Sequence, residues 1–254
     1  MIRIIVVATT MLVWPAWAHA QLNVMISGGF SGAYNKLLPE FERANGLQVT
    51  TGSGASQGSG PQTIAAQLAR GVPADVVILS REGLTELLEQ SRIAAGTDVD
   101  LAQVGMGVAV RAGTPKPDIG SVEAFKRVLA NSRTTGASTS GTWVIKELFP
   151  RLGIADKGQF KLVARGAQAS GSVAAGDADL ALLPVSELQN VLGVDYAGAF
   201  PAELQFMQTF SAAIVRGSKQ ADAGRRLIAF LASEHASSVI RHAGMEPLGK
   251  RRAQ

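Results

Sequence analysis

The chain has 254 residues, no cysteine, 46% hydrophobic content and a formal charge of +4 at pH 7. The absence of cysteine excludes thiol chemistry and disulfide staples, so a chain of this size must rely on buried apolar surface. The positive excess is small and spread along the sequence, with Lys250-Arg251-Arg252 as the one cluster, read as a solvated tail; with few aromatics to stack on bases, it gives nucleic-acid binding no support and suits an anionic ligand without saying which.

Met1, Ile2 and Arg3 lead into the apolar stretch Ile4 to Trp17 and then Ala18-His19-Ala20, the small-x-small pattern of a cleavage site. Residues 1–20 are therefore expected to be a cleavable signal peptide, and the mature protein periplasmic. Pro15 interrupts a run shorter than the roughly 18 to 20 apolar residues of a spanning helix. No later hydrophobic run is long enough to cross a bilayer, so no transmembrane segment is expected after cleavage.

From residue 21 the chain alternates short β-like runs with amphipathic helices, which predicts an α/β fold of mostly parallel sheets flanked by helices. Leu22 to Ile26 reads as a strand, Ser27 to Gly32 as a turn, and Tyr34, Leu37, Leu38 and Phe41 as a helix that stops at Gly46. Leu47 to Thr51 is the next strand. The Gly/Ser loop 52–60 follows it, and Pro61 opens a helix over Ile64, Ala65 and Leu68. Ala74 to Leu79 is apolar throughout, as a strand buried on both faces should be, with a helix over Leu84, Leu87 and Leu88 beyond it.

Val104 to Arg111 reads as a strand, and the Gly113–Pro117 stretch as a stiff turn. A second α/β series follows: a helix over Val122, Phe125 and Leu129, a loop at Ser138 to Gly141, a helix through Ile145, Leu148 and Phe149, and strands near Phe160 to Ala164 and Leu180 to Leu183. Leu204 to Arg216 is long for one strand and reads as a passage back to the first unit. Two helices close the chain. The expected division is a discontinuous lobe I, 21–101 plus 203–254, and a lobe II, 102–202, with a ligand cleft between them.

In open α/β sheets ligands bind beyond the carboxyl ends of strands, where loops enter helix N-termini. Three loops occupy such places and carry hydroxyls and glycines that can converge on an oxyanion. Their candidate residues are Ser27, Gly28, Gly29, Phe30 and Ser31; Ser53, Ser56, Gln57 and Ser59; and Ser138, Thr139 and Ser140. Arg81 and Arg165 each follow a strand, and a guanidinium there can pair bidentately with a carboxylate. Lys161 is expected to be solvated.

No catalytic residue is assigned. Glu82 and Glu187 also follow strands, where a carboxylate caps the next helix more often than it acts as a base. His235 and His242, the two histidines after residue 20, are read as helix-surface groups, and neither a metal site nor a cofactor is expected.

The run Gly71-Val72-Pro73-Ala74-Asp75-Val76-Val77-Ile78, with Phe230-Leu231 and Gly244 near the end, resembles the molybdate-type periplasmic solute-binding family over nearly the whole mature chain. The resemblance implies a type II periplasmic binding protein fold with hinged lobes and an ABC permease as partner. In that family hydroxyl side chains in the first loop and a Tyr ending a second-lobe strand hold the oxyanion; here Gly29 and Pro184 stand at those places, and Ser56 or Ser59 is left to supply a hydroxyl. Ser27-Gly28-Gly29-Phe30 with the long Gly/Ser loop is more similar to the aconitate isomerase-like carboxylate branch of the family. The expected role is thus a binding protein of an ABC-type importer, taking a di- or tricarboxylate such as aconitate in preference to a molybdate-type oxyanion. The alternative is isomerase activity on the same fold.

Overall fold

A computed structural model describes residues 21–154, 159–189 and 191–249. The proposed signal segment and the Lys250-Arg251-Arg252 cluster lie outside the described residues. In chain order the elements begin with β1 (Gln21–Ile26), α1 (Gly28–Asn45), β2 (Gln48–Ser53), α2 (Ile64–Ala69), β3 (Val76–Ser80) and α3 (Arg81–Glu89). Parallel pairing puts β1 between β2 and β3, with Val24 opposite both Thr51 and Val76.

All five residues of β3 are buried, and alternation along the strand explains how. Val76 and Ile78 pack with Phe30, Tyr34 and Leu37 of α1, whereas Val77 and Leu79 pack on the opposite face with Ile64, Leu84 and Leu87. Asp75, just before the strand, is the polar residue of the Pro-Ala-Asp run and serves as a clasp. Its carboxylate accepts hydrogen bonds from the Asn23 backbone N–H at 2.9 Å and from the Ser218 hydroxyl at 2.7 Å, tying three chain segments together.

The chain then enters β4 (Val99–Arg111), whose 13 residues extend about 40 Å. Its first part pairs with β9 (Met207–Ile214), while Met106 onward pairs with β7 (Leu180–Pro184) and β8 (Val194–Ala199). One strand thus belongs to two half-sheets. The second half-sheet adds β5 (Thr134–Ala137) and β6 (Phe160–Val163), parallel to each other, with β7 parallel to β5. Its helices are α4 (Val122–Ala130), α5 (Ser138–Trp143), which runs on through a π-helical turn into α6 (Phe149–Leu152), and α7 (Gly166–Ala175).

Strand β9 returns antiparallel beside β3, and α8 (Ala221–Leu231), α9 (Glu234–His242) and the short β10 (Glu246–Pro247), paired with β4, finish the first half. Apolar packing falls into separate clusters on either side of the crossing strands. Leu22, Phe30, Leu227 and Ile240 belong to one, and Val108, Phe125, Leu148 and Leu182 to another. No helix of the described residues is long and apolar enough to cross a membrane.

Candidate functional site

The carboxyl ends of β1, β2 and β3 in the first half face those of β5, β6 and β7 in the second. Between them is a cavity of about 20 Å³, room for roughly one water molecule. Three residue pairs latch the walls together through hydrogen bonds. Ser80 Oγ and Thr139 Oγ1 are 2.8 Å apart, the Gln57 N–H donates to Ser138 Oγ at 3.0 Å, and Arg165 Nη1 donates to Ser53 Oγ at 2.9 Å.

Each latch is prepared by local structure. Ser80 caps α3 by accepting from the Gly83 N–H, which leaves its hydroxyl proton free for Thr139. Ser56 Oγ accepts from the Ser80 N–H at 3.0 Å and holds the Gly/Ser loop down on β3. Ser138 adopts φ 48°, a left-handed conformation that costs a non-glycine residue of order 1 kcal/mol and persists where the surroundings enforce it. Its bond to Gln57 across the crevice is such a constraint.

Of the residues singled out from sequence, Ser27, Gly28, Ser56, Ser138, Thr139, Ser140 and Arg165 line the cavity. Ser53 and Gln57 stand at its rim through the latches. Ser59 is exposed, Ser31 turns back to bond the Gly28 carbonyl, and Phe30 is wholly buried in the core. Gly29 abuts Phe210: a Cβ there would lie 1.9 Å from the ring's Cζ, so the ring occupies the space of a side chain at position 29.

Arg81 is not among the lining residues. Its guanidinium donates to Asp98 and Asp100 of the same half, each at 2.8 Å, and the bond to Arg81 holds the Asp98 carboxyl below the usual carboxylate range. The strand-end rule placed Arg81 in the crevice, but these aspartates draw it to the outside. Arg81→Met is accordingly expected to lower stability by about 1 kcal/mol with ligand affinity unchanged, read by urea unfolding and calorimetry in parallel.

The group that sequence reasoning gave to helix capping is the most perturbed one here. Glu187 follows β7, where Pro184 turns the chain, and its carboxylate enters the crevice between the first turns of α1 and α7. A Cβ built on Gly28 would come 2.9 Å from Glu187 Oε2, and one on Gly166 would come 1.8 Å from it. Burial pushes the carboxyl up to about 7, against the lowering effect of a hydrogen bond from the Gly166 N–H. Two helix N-termini, one from each half, therefore converge on one anionic position. Glu82, the other acidic candidate, sits in the first turn of α3 and does not line the cavity.

Among the lining residues that sequence reasoning missed are Gln208 and Phe210 of β9. Gln208 Oε1 and Ser27 Oγ are buried without hydrogen-bond partners, and both residues are 4% exposed. The available signal was the amide itself: Phe210, Ala212 and Ile214 form the core face of β9 by alternation, and Gln208 falls on that same face.

A roomier groove of about 820 Å³ lies on the outer side of the first half among α8, α9 and β10, with Thr97, Arg225 and Arg241 on its walls. It is remote from the strand ends and the latches. Among the described residues no group of three or more His, Cys, Asp or Glu is placed to hold a metal ion. His235 pairs with Glu40 at 2.8 Å on the surface.

Two half-sheets joined by crossing strands, with anion-seeking loops from both halves meeting at one crevice, define a two-part solute-binding fold. The chain belongs to the bacterial extracellular solute-binding protein family, whose sequence profile matches residues 22–246. Among curated proteins it is 36% identical over 230 residues to aconitate isomerase of Pseudomonas sp, covering 89% of this chain and 88% of that protein. Its fold is similar to the periplasmic molybdate-binding protein of Azotobacter vinelandii (TM-score 0.70, 21% identity, 88% of this chain and 98% of the other). It is also similar to the sulfate-binding protein SubI of Mycobacterium tuberculosis (TM-score 0.74, 20% identity, 91% and 88%). The molybdate-type resemblance read from the Pro-Ala-Asp run, including its aconitate isomerase-like branch, is borne out by these matches.

Proposed function

We propose that the chain is a periplasmic enzyme that takes a tricarboxylate into the crevice and interconverts cis- and trans-aconitate, with Glu187 as the proton carrier. One observation carries this reading: a carboxyl whose pKa is raised to about 7 stands in a narrow crevice at two helix N-termini. A base poised near the working pH maximises both its correct protonation state and its driving force. The 36% identity to aconitate isomerase favours the same substrate class.

In the proposed reaction the Glu187 carboxylate removes a proton from the allylic CH2 of aconitate. The released electron pair forms a new C=C bond to the central carbon, and the former double-bond pair shifts to the opposite carbon, which takes the proton back from Glu187. No atom is gained or lost. Negative charge builds on a substrate carboxylate between the two steps, where helix N-termini and Arg165 favour it. With only about 20 Å³ between the walls, the halves must part to admit substrate, so the latches are the bonds that open.

The family match supports a second reading, a receptor that delivers a di- or tricarboxylate to an ABC permease; the fold alone serves either role. Ultraviolet absorbance of micromolar purified protein with cis- or trans-aconitate separates them. Interconversion is expected, and its absence rejects the enzyme. Calorimetry with both isomers, citrate and molybdate then tests the receptor, and tight molybdate binding with no carboxylate response overturns the ligand class.

A further inference from the structure

The core face of β9 is apolar at Phe210, Ala212 and Ile214, and the alternation that puts them there puts residue 208 on the same face. An apolar side chain would suit that register, yet the residue is glutamine, 4% exposed and lining the crevice. Its atom left without a partner is the amide oxygen, Oε1. That atom is an acceptor, and only an O–H or N–H donor offsets the cost of burying it. An ionised carboxylate carries neither. The carboxylates of a bound anion are matched instead by Arg165 and by the first turns of α1 and α7. Gln208 therefore asks for a second kind of group on the same molecule. Those cationic and dipolar walls disfavour an ammonium as the donor, which leaves a neutral hydroxyl.

We propose that the crevice also binds a hydroxy-tricarboxylate, a hydrated relative of aconitate such as citrate or isocitrate, with its hydroxyl donating to Gln208 Oε1. The tricarboxylate class rests on the function proposed above; the hydroxyl rests on Gln208 alone. A hydrated ligand has no C=C bond to shift, so it occupies the site as a competitor of aconitate. Gln208 is then a specificity residue, because a tricarboxylate without a hydroxyl leaves its oxygen buried and unmet.

Tricarballylate differs from citrate only in lacking the hydroxyl, which makes the pair a direct probe. Calorimetry on the purified protein is expected to show citrate or isocitrate binding ~10-fold or more tighter than tricarballylate. The same order is expected when the three compete with aconitate in the ultraviolet assay. Gln208→Met keeps the size and removes the acceptor. Without ligand the variant is expected to melt at or above the parent, and its ratio of hydroxy acid to tricarballylate affinity to fall to about 1.

Tricarballylate held by the parent as tightly as both hydroxy acids overturns the proposal whatever the variant does, and turnover of aconitate then leaves the isomerase standing. A folded Gln208→Met protein that keeps the parent's ratio overturns it as well. So does a variant that melts well below the parent, since the amide then serves the fold. A hydroxyl preference without aconitate turnover supports Gln208 as the selector and removes the isomerase. A parent that binds none of the three fails the proposal, and if it also leaves aconitate unchanged both readings fall.

Discussion

Glu187→Gln is expected to lower aconitate turnover by about 10²- to 10⁴-fold, the usual contribution of a positioned acid or base, while making the protein more stable at pH 8. The two effects share one cause. Burial raises the Glu187 carboxyl from 4.5 to about 7, so the folded state favours the neutral form. A raised folded-state pKa gives stability that is fully present below about 4.5 and lost as pH rises through 7. Above that pH the parent carries an ionised, desolvated carboxylate, at a cost of roughly 3 kcal/mol. Glutamine keeps the size and removes the charge. Urea unfolding at pH 5 and pH 8 should therefore show the gap between variant and parent widening at the higher pH. If the gap is the same at both, Glu187 is not the titrating group.

The second large effect is expected at Gly166. A methyl there meets Glu187 Oε2 at 1.8 Å and Cδ at 2.8 Å, closer than any relaxed contact allows. Gly166→Ala must push either the carboxylate or the start of α7 aside. A displacement of about 1 Å at a reacting group costs on the order of 100-fold in rate, and that loss is expected here. Gly28→Ala faces the same oxygen at 2.9 Å and should be milder. Gly171, inside the same helix, has open space around its Cβ position. Alanine there should stabilise by about 0.5 to 1 kcal/mol with activity intact. Steady-state kinetics on the three variants would check this order; equal losses at Gly166 and Gly171 would mean that α7 responds to substitution as a whole, with no special contact at Glu187.

Much of the fold is written in local pattern. The all-apolar β3 run and the helical spacing of Tyr34, Leu37 and Phe41 could be read directly, because burial on two faces and on one stripe leaves distinct periods. Strand β4 was read from Val104 but begins at Val99. Asp100 and Gln103 break the apolar pattern there, and Asp100 is needed to hold Arg81 and Ser211. Strands β5 and β8 were not read at all. Thr-Thr-Gly-Ala is short, and β8 carries an irregular register against β4, with Gly198 at φ 154°.

The site was less legible for a different reason. Loops rich in Ser and Gly declare themselves in sequence, and three of them do reach the crevice. Burial perturbs Glu187 in a place walled by Gly28 and Gly166, 159 and 21 positions away, and nothing in its own neighbourhood distinguishes it from an ordinary cap. Arg81 fails in the mirror image of this: the strand end was right, but its partners Asp98 and Asp100 are fixed by the path of β4.

The abutment of Gly29 on the Phe210 ring couples the histories of two positions that are 181 residues apart. Serine at 29, the kind of change that restores a first-loop hydroxyl of the molybdate type, is refused while the phenylalanine remains. Shrinking Phe210 first hollows the layer beneath α1. Either order of substitution passes through a weakened intermediate, so drift between ligand classes meets an epistatic ratchet here, and the pair can be expected to change in concert or not at all.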